Sequence, residues 1–176
     1  MAADYLDEYE LLVSYRSAID GIGRHMQLLT ISGAGEEISN AFYGTMSDLQ
    51  QWEASYCPLS TNDIVRDATG QRWLVFETES RIVQMNLSYQ GDIAKVAEAF
   101  TETRQKNPAI AVNKSGDRVI VWGEAISHAR GGRMNIRVVD ASGSDTDFQL
   151  EREIQIQDYS FPAAAKLPNG DFIELH

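Results

Sequence analysis

Residues 107 to 124 read Asn-Pro-Ala-Ile-Ala-Val-Asn-Lys-Ser-Gly-Asp-Arg-Val-Ile-Val-Trp-Gly-Glu, and residues 133 to 143 read Arg-Met-Asn-Ile-Arg-Val-Val-Asp-Ala-Ser-Gly. Pro108 has no N–H and a fixed φ, which suits the first residue of a strand. Ala109 to Val112 is a short apolar run, and Asn113-Lys114-Ser115-Gly116-Asp117 is a turn cluster. Val119-Ile120-Val121-Trp122 is β-branched, aromatic and apolar at successive positions, the pattern of a strand covered on both faces. Gly131-Gly132 leads into a third run, Met134 to Asp140, and Ala141-Ser142-Gly143 into a fourth. From Phe148 to Ile156 apolar residues alternate with Gln149, Glu151, Glu153 and Gln155, as in a half-exposed strand. The segment is thus a four-stranded antiparallel meander.

The unit recurs. Trp122 stands six residues after Gly116, Phe76 six after Gly70, His176 six after Gly170 and Tyr15 six after Tyr9. Pro108 and Pro162 each lie eight residues before a glycine, with Asn62 in the same place in another copy. Third strands align on Gly33, Gly91 and Gly143, each with an aliphatic residue four positions earlier. Second-strand glycines are 46 and 54 residues apart and third-strand glycines 58 and 52, so the loops vary in length. Copies fall at about 2–46, 61–103 and 107–158, with half a copy at 161–176 and an insertion at 44–58. Residues 91 to 103 read two ways, as a fourth strand by repeat position or as an amphipathic helix by propensity, and the repeat favours the strand.

The unit resembles the degenerate bacterial propeller repeat, whose blades begin with Pro-x-hydrophobic-Ala and continue through Gly-x-x-hydrophobic-Val-Val-Trp. That resemblance implies an all-β, propeller-like fold of about three and a half blades built from antiparallel four-stranded meanders. The competing architecture is a β-sandwich of the same meanders. Propellers close with roughly four to eight blades. The expectation is therefore self-association, or a protein partner that completes the propeller.

Composition narrows the partners. The net charge is −11, which disfavours nucleic acid and anionic membrane surfaces. Cys57 is the single cysteine, so no disulfide forms within the chain. The acidic N-terminal stretch reads as no signal peptide and no apolar run is long enough to span a bilayer, so the default expectation is cytoplasmic.

The chemistry is sparse. His25, His128 and His176 lack metal-ligand spacing, and no Gly-x-Ser-x-Gly elbow occurs. Asp140, Asp145 and Asp147 form an oxygen-rich loop suited to calcium, without the twelve-residue spacing of a calcium hand. Arg24, Arg81 and Arg133 each begin a third strand, a repeated position from which a rim of guanidinium groups would bind carboxylates; alternatively each pairs with a carboxylate such as Glu77 or Glu124. Glu77, Glu79 and Glu124 are also candidate glycosidase carboxylates. Trp52 and Tyr56 in the insertion, and His128 in the 123–133 loop, complete the candidate ligand contacts, together with the 16–24 loop. The expected function is a non-enzymatic binding or assembly module presenting its inter-strand loops, with no cofactor. A lectin-like carbohydrate-binding module and a glycoside hydrolase-like enzyme or remnant are the alternatives.

Overall fold

Among the described residues one five-residue turn is built five times, at 32–36, 67–71, 113–117, 140–144 and 167–171. In each, the first N–H bonds the fifth carbonyl, and the fourth residue, always glycine, returns its N–H to the first carbonyl. Those glycines have φ between 84° and 96°, a left-handed conformation that disfavours any Cβ. Around Gly35, Gly70 and Gly170 the space is open, so the backbone angle alone selects glycine there. Asp67, Asn113 and Asp140 cap their turns with Oδ1, as Ser32 does with Oγ.

The computed structural model describes residues 2–5, 10–19, 23–42, 61–78, 80–87, 93–95, 104–126, 129–148 and 153–175. Its strands are β1 (Ala2–Tyr5), β2 (Glu10–Ile19), β3 (Gly23–Ser32), β4 (Glu37–Phe42), β5 (Asp63–Arg66), β6 (Arg72–Thr78), β7 (Arg81–Asn86), β8 (Ile93–Lys95), β9 (Gln105–Val112), β10 (Arg118–Glu124), β11 (Gly132–Val139), β12 (Ile154–Ile156), β13 (Ala163–Lys166) and β14 (Phe172–Leu175). They form three antiparallel four-stranded meanders, β1–β4, β5–β8 and β9–β12, and one hairpin, β13–β14. Residues 93–95 are strand, as the repeat position requires.

Side-chain alternation turns the meanders into a stack. Leu74 and Phe76 pack with Leu12 and Leu28 of the first sheet, while the intervening Val75 packs with Ile110, Ile120 and Trp122 of the third. The third sheet sends Ile120 and Trp122 one way and Val119 and Val121 the other, onto Ala164 and Phe172 of the hairpin. Every residue of β10 is buried, which is why its sequence shows no polar face. Polar groups stitch the same seams. Asn62 Nδ2 donates to Ser14 Oγ at 2.6 Å, Asp63 Oδ2 accepts from Ile110 N at 3.0 Å, and Asn113 Nδ2 donates to the Gly170 carbonyl at 3.2 Å. Arg118, buried, lies 3.9 Å over the Trp73 ring, whose Nε1 donates to Asp67.

Three sequence expectations are corrected. Pro108 lies inside β9, which starts at Gln105; the strand accommodates it with a bulge between Val121 and Gly123 and a positive φ of 54° at Asn107. In the first sheet the turn glycine equivalent to Gly143 is Gly35, not Gly33; a slip of two leaves the strand faces unchanged because side chains alternate with period two. The fourth strand of the third sheet is short, Ile154–Ile156, and Phe148 lies before it, exposed.

Candidate functional site

The turns just described join β3 to β4, β5 to β6, β9 to β10, β11 to β12 and β13 to β14, all at one end of the strands. The opposite end carries the β10–β11 loop, where the functional candidates gather; the 16–24 segment expected as a loop is instead mostly strand, with β2 reaching Ile19 and β3 starting at Gly23. Gly123 and Glu124 end β10, Ala125 takes φ 57°, and the chain returns through Arg130, Gly131 and Gly132. A Cβ on Gly131 would collide with the Ile156 carbonyl oxygen and one on Gly132 with the Glu124 carbonyl oxygen, so this doublet is fixed by close backbone approach.

Register then assembles a polar row across the sheet. Gln105 of β9 pairs with Glu124 of β10, Glu124 with Arg133 of β11, and Arg133 with Gln155 of β12. Directly paired residues share a face, so four strands contribute one side chain each. Glu124 is 1% exposed. Its Oε2 accepts from Arg133 Nη2 at 2.6 Å and from Asn135 Nδ2 at 3.0 Å. Its Oε1 and the Nε of Arg133 are buried without a hydrogen-bond partner among the described residues. Leaving such atoms unmatched costs about 1–3 kcal/mol each.

Beside this row is a cavity of about 620 Å³ lined by Glu124, Arg130, Arg133, Glu153, Gln155 and Asp158, among others. Gln155 Nε2 donates to Glu153, and Asp158 Oδ1 accepts from Gly131 N at 2.7 Å. Tyr159, next to Asp158, is 77% exposed with φ 60°. The wall thus alternates hydrogen-bond donors and acceptors.

Of the sequence candidates, Glu124 and Arg133 meet at this wall. Arg81 begins β7 at the corresponding register of the second sheet, opposite Thr78, and its Nη1 donates to the Ser80 carbonyl at 3.1 Å. Arg24 pairs with Ala18, one position out of step; His25, opposite Ser17, holds the register of Arg81 and Arg133. Trp52, Tyr56, His128, Glu79 and the 44–58 insertion lie outside the described residues. The aspartate loop is occupied internally: Asp140 Oδ1 accepts from Ser142 and Ser144, which holds its carboxyl below the usual carboxylate range, and Asp145 pairs with Arg137 at 2.5 Å. Among the described residues no cluster of three or more His, Cys, Asp or Glu is arranged for a metal ion. Sequence reading missed Gln105, Asn135 and Asp158 as parts of the site, and placed Glu153 and Gln155 only on the polar face of a strand. The row itself is set by pairings between residues 19 and 22 apart, Gln105 with Glu124 and Arg133 with Gln155, which no local motif encodes.

No family model and no curated protein matches the sequence. Solved structures do. An endo-arabinase from Bacteroides thetaiotaomicron superposes with a TM-score of 0.58 at 14% identity, covering 97% of this chain and 66% of that one. An α-L-arabinanase from Penicillium chrysogenum, complexed with arabinobiose, gives 0.52 at 11% identity over 94% and 53%. A GH43 protein, BlXynB from Bacillus licheniformis, gives 0.50 at 10% identity over 97% and 34%. The chain therefore spans between about a third and two thirds of the length of these neighbours. Among the described residues no helix is long and apolar enough to cross a membrane. The likeness shows the fold, an all-β arrangement of propeller-like blades.

Proposed function

We propose that the chain is a binding module whose site is the Glu124–Arg133 cavity, and that its ligand is a neutral, polyhydroxylated molecule of the carbohydrate class. The observation that carries the reading is the mixed lining of the cavity, with Arg130 and Arg133 as donors and Glu153, Gln155 and Asp158 supplying acceptors. A hydroxyl group is both donor and acceptor, so a polyhydroxylated ligand matches such a wall. The cavity's charged lining, Glu124, Glu153 and Asp158 against Arg130 and Arg133, has one more acid than base and gives an anion no advantage. Tyr159, the residue after Asp158 of the lining, is exposed, and its ring is of the kind that sugars stack on. The similarity to structures described as arabinanases, one holding arabinobiose, supports saccharide binding and names the first ligand to try.

Glycoside hydrolysis is the second reading, favoured by the same fold likeness. It requires one carboxyl group kept protonated beside a second, ionised one. Among the described residues the carboxyl group pushed upward is Asp63, by burial, against the lowering effect of hydrogen bonds from Ile110 and Ile64. Asp63 bonds strand N–H groups between two sheets and is not part of the cavity wall. At the cavity Glu124 is held against Arg133 and Asn135, so binding without turnover is the preferred reading. Calorimetric titration with arabinobiose and other neutral disaccharides tests it, with reducing-sugar release as the parallel readout. Binding without sugar release is expected. Sugar release abolished by Glu124→Gln would transfer the case to the hydrolase, and failure of every neutral saccharide to bind would remove the proposal.

A further inference from the structure

The five glycine turns are not held equally. In four of them the first residue ties the ends together with its side chain: Ser32 Oγ, Asp67 Oδ1, Asn113 Oδ1 and Asp140 Oδ1 each accept from the N–H of the fifth residue, at 3.0 to 3.1 Å. The turn at 167–171 begins with Leu167, which has no side-chain oxygen to offer. There Asp171 N donates at 3.2 Å to Asn169 Oδ1, from inside the turn, and Asn169 Nδ2 donates to Asp171 Oδ2 at 2.6 Å. Only the two backbone bonds, Leu167 N to the Asp171 carbonyl and Gly170 N to the Leu167 carbonyl, close the ends, so this turn opens more readily than its four capped counterparts.

The uncapped turn carries a reactive pair. Asn169-Gly170 is the only Asn-Gly step in the sequence. Asn169 is exposed, and a Cβ built on Gly170 would meet nothing within 4 Å, so the peptide between them is unscreened. The Asp171 N–H on Oδ1 draws electron density from Cγ of Asn169 and favours attack there. The attacking group is the Gly170 nitrogen, which becomes available when its bond to the Leu167 carbonyl opens. The other asparagines of the described turns and strands lack this combination: Asn113 is buried and precedes Lys114, and Asn107 precedes Pro108, whose nitrogen carries no proton to give up.

We propose that Asn169 is a site of spontaneous conversion to isoaspartate, and that the conversion unhooks the β13–β14 hairpin from the third sheet. The Gly170 nitrogen attacks Asn169 Cγ. A Cγ–N bond forms, the Cγ–Nδ2 bond breaks, and ammonia leaves with the proton that Gly170 gave up. Water then opens the cyclic imide on either side, giving aspartate or isoaspartate, and in the second product the main chain runs through the former side chain. That longer backbone does not fit a turn closed by Leu167 and Asp171, and a new carboxylate stands beside Asp171 where a donor stood before. The hairpin is tied to the third sheet through this turn, because the Gly170 carbonyl accepts from Asn113 Nδ2 at 3.2 Å and Phe172, just beyond, packs with Val119 and Val121. The inference is independent of the cavity and its ligand.

Ageing the full chain at mildly alkaline pH tests it. Peptide mapping by mass spectrometry follows the amide-to-acid mass change at every asparagine, an isoaspartyl methyltransferase labels the isoaspartate, and hydrogen exchange reads residues 172–175. Asn169 is expected to convert before every other asparagine, and the converted fraction to lose protection at 172–175. Leu167→Asp supplies the missing cap and is expected to slow conversion several-fold; Asn169→Ser is expected to keep its protection unchanged through ageing. Asn169→Asp carries the new charge without the longer backbone and is expected to protect 172–175 better than the isoaspartyl form does. Conversion of another asparagine as fast as Asn169 overturns the site. Equal rates in the parent and Leu167→Asp overturn the role of the missing cap, and unchanged protection of 172–175 in the isoaspartyl form overturns the unhooking.

Discussion

The third sheet and the last hairpin are built from the same repeat, yet they differ in what covers them. β10 is buried along its whole length because sheets lie on both its faces, whereas β14 alternates between half-buried and exposed because one face meets Ala111, Val119 and Val121 and the other meets nothing described. The sequence pattern alone does not distinguish them: Val119-Ile120-Val121-Trp122 and Phe172-Ile173-Glu174-Leu175 are both strand-forming. The stability each strand contributes comes from its neighbours rather than from its own residues.

The largest effect expected from breaking this comparison is in the core. Ile120→Ala removes a side chain with no exposure from between two sheets and is expected to lower unfolding stability by about 2–5 kcal/mol. Ile173→Ala, in dilute protein, is expected to change it by about 0.5 kcal/mol or less. Urea melts of both variants measure the contrast directly.

A second pair uses the turns. Gly116 and Gly170 have nearly the same φ, 94° and 96°. Replacing Gly116 by Ala is expected to cost about 1–3 kcal/mol globally, from the forced left-handed backbone and the approach of Ala141. The same change at Gly170 strains its turn equally but is expected to appear mainly as local opening of the hairpin, with less loss in the global melt. At the cavity, Glu124→Gln removes a charged acceptor and is expected to weaken saccharide binding about tenfold or more, while Tyr159→Ala has a smaller effect. Titration calorimetry reads both.

The smallest effect is in pH dependence. Asp63 has its pKa raised above 3.8 by burial, so the stability linked to its protonated form is fully present below 3.8 and is lost as pH rises through the higher folded value. Asp67 is the opposite case. Slight burial pushes its pKa up, but hydrogen bonds from Thr69, Trp73 and Gln71 together hold it below 3.8. Its contribution is present above 3.8 and is lost as pH falls through the lower folded value. Asp63→Asn is therefore expected to gain on the parent as pH rises, and Asp67→Asn to lose least against it in strong acid. Thermal melts over an acidic pH series distinguish the two.

Much of the architecture was legible because its determinants are local. Gly70, Gly116 and Gly170 mark a turn that only glycine accommodates well, and Trp122 and Phe76 sit at fixed distances from two of them. Where local signals were ambiguous the reading slipped: Gly33 and Gly35 are both plausible turn glycines, and only the hydrogen bond from Gly35 N to the Ser32 carbonyl separates them. Pro108 looked like a strand start because a bulge that admits proline depends on the partner strand, through Val121 and Gly123. The cavity was legible only in part. Glu124 and Arg133 flank one loop and were found, but Gln105 joins them across a sheet and Asp158 through a turn beyond β12. Arg24 stands one register step from the places of Arg81 and Arg133, a difference that only strand pairing reveals.

Hydrogen exchange of the native protein, followed by mass spectrometry at low and high protein concentration, compares the two regions most directly. Amides of residues 118–124 are expected to exchange only by global unfolding at both concentrations, and those of residues 172–175 to exchange faster, by local opening of the hairpin. Equal protection of the two strands in the most dilute sample would contradict the picture of one sheet covered on both faces and one hairpin covered on a single face.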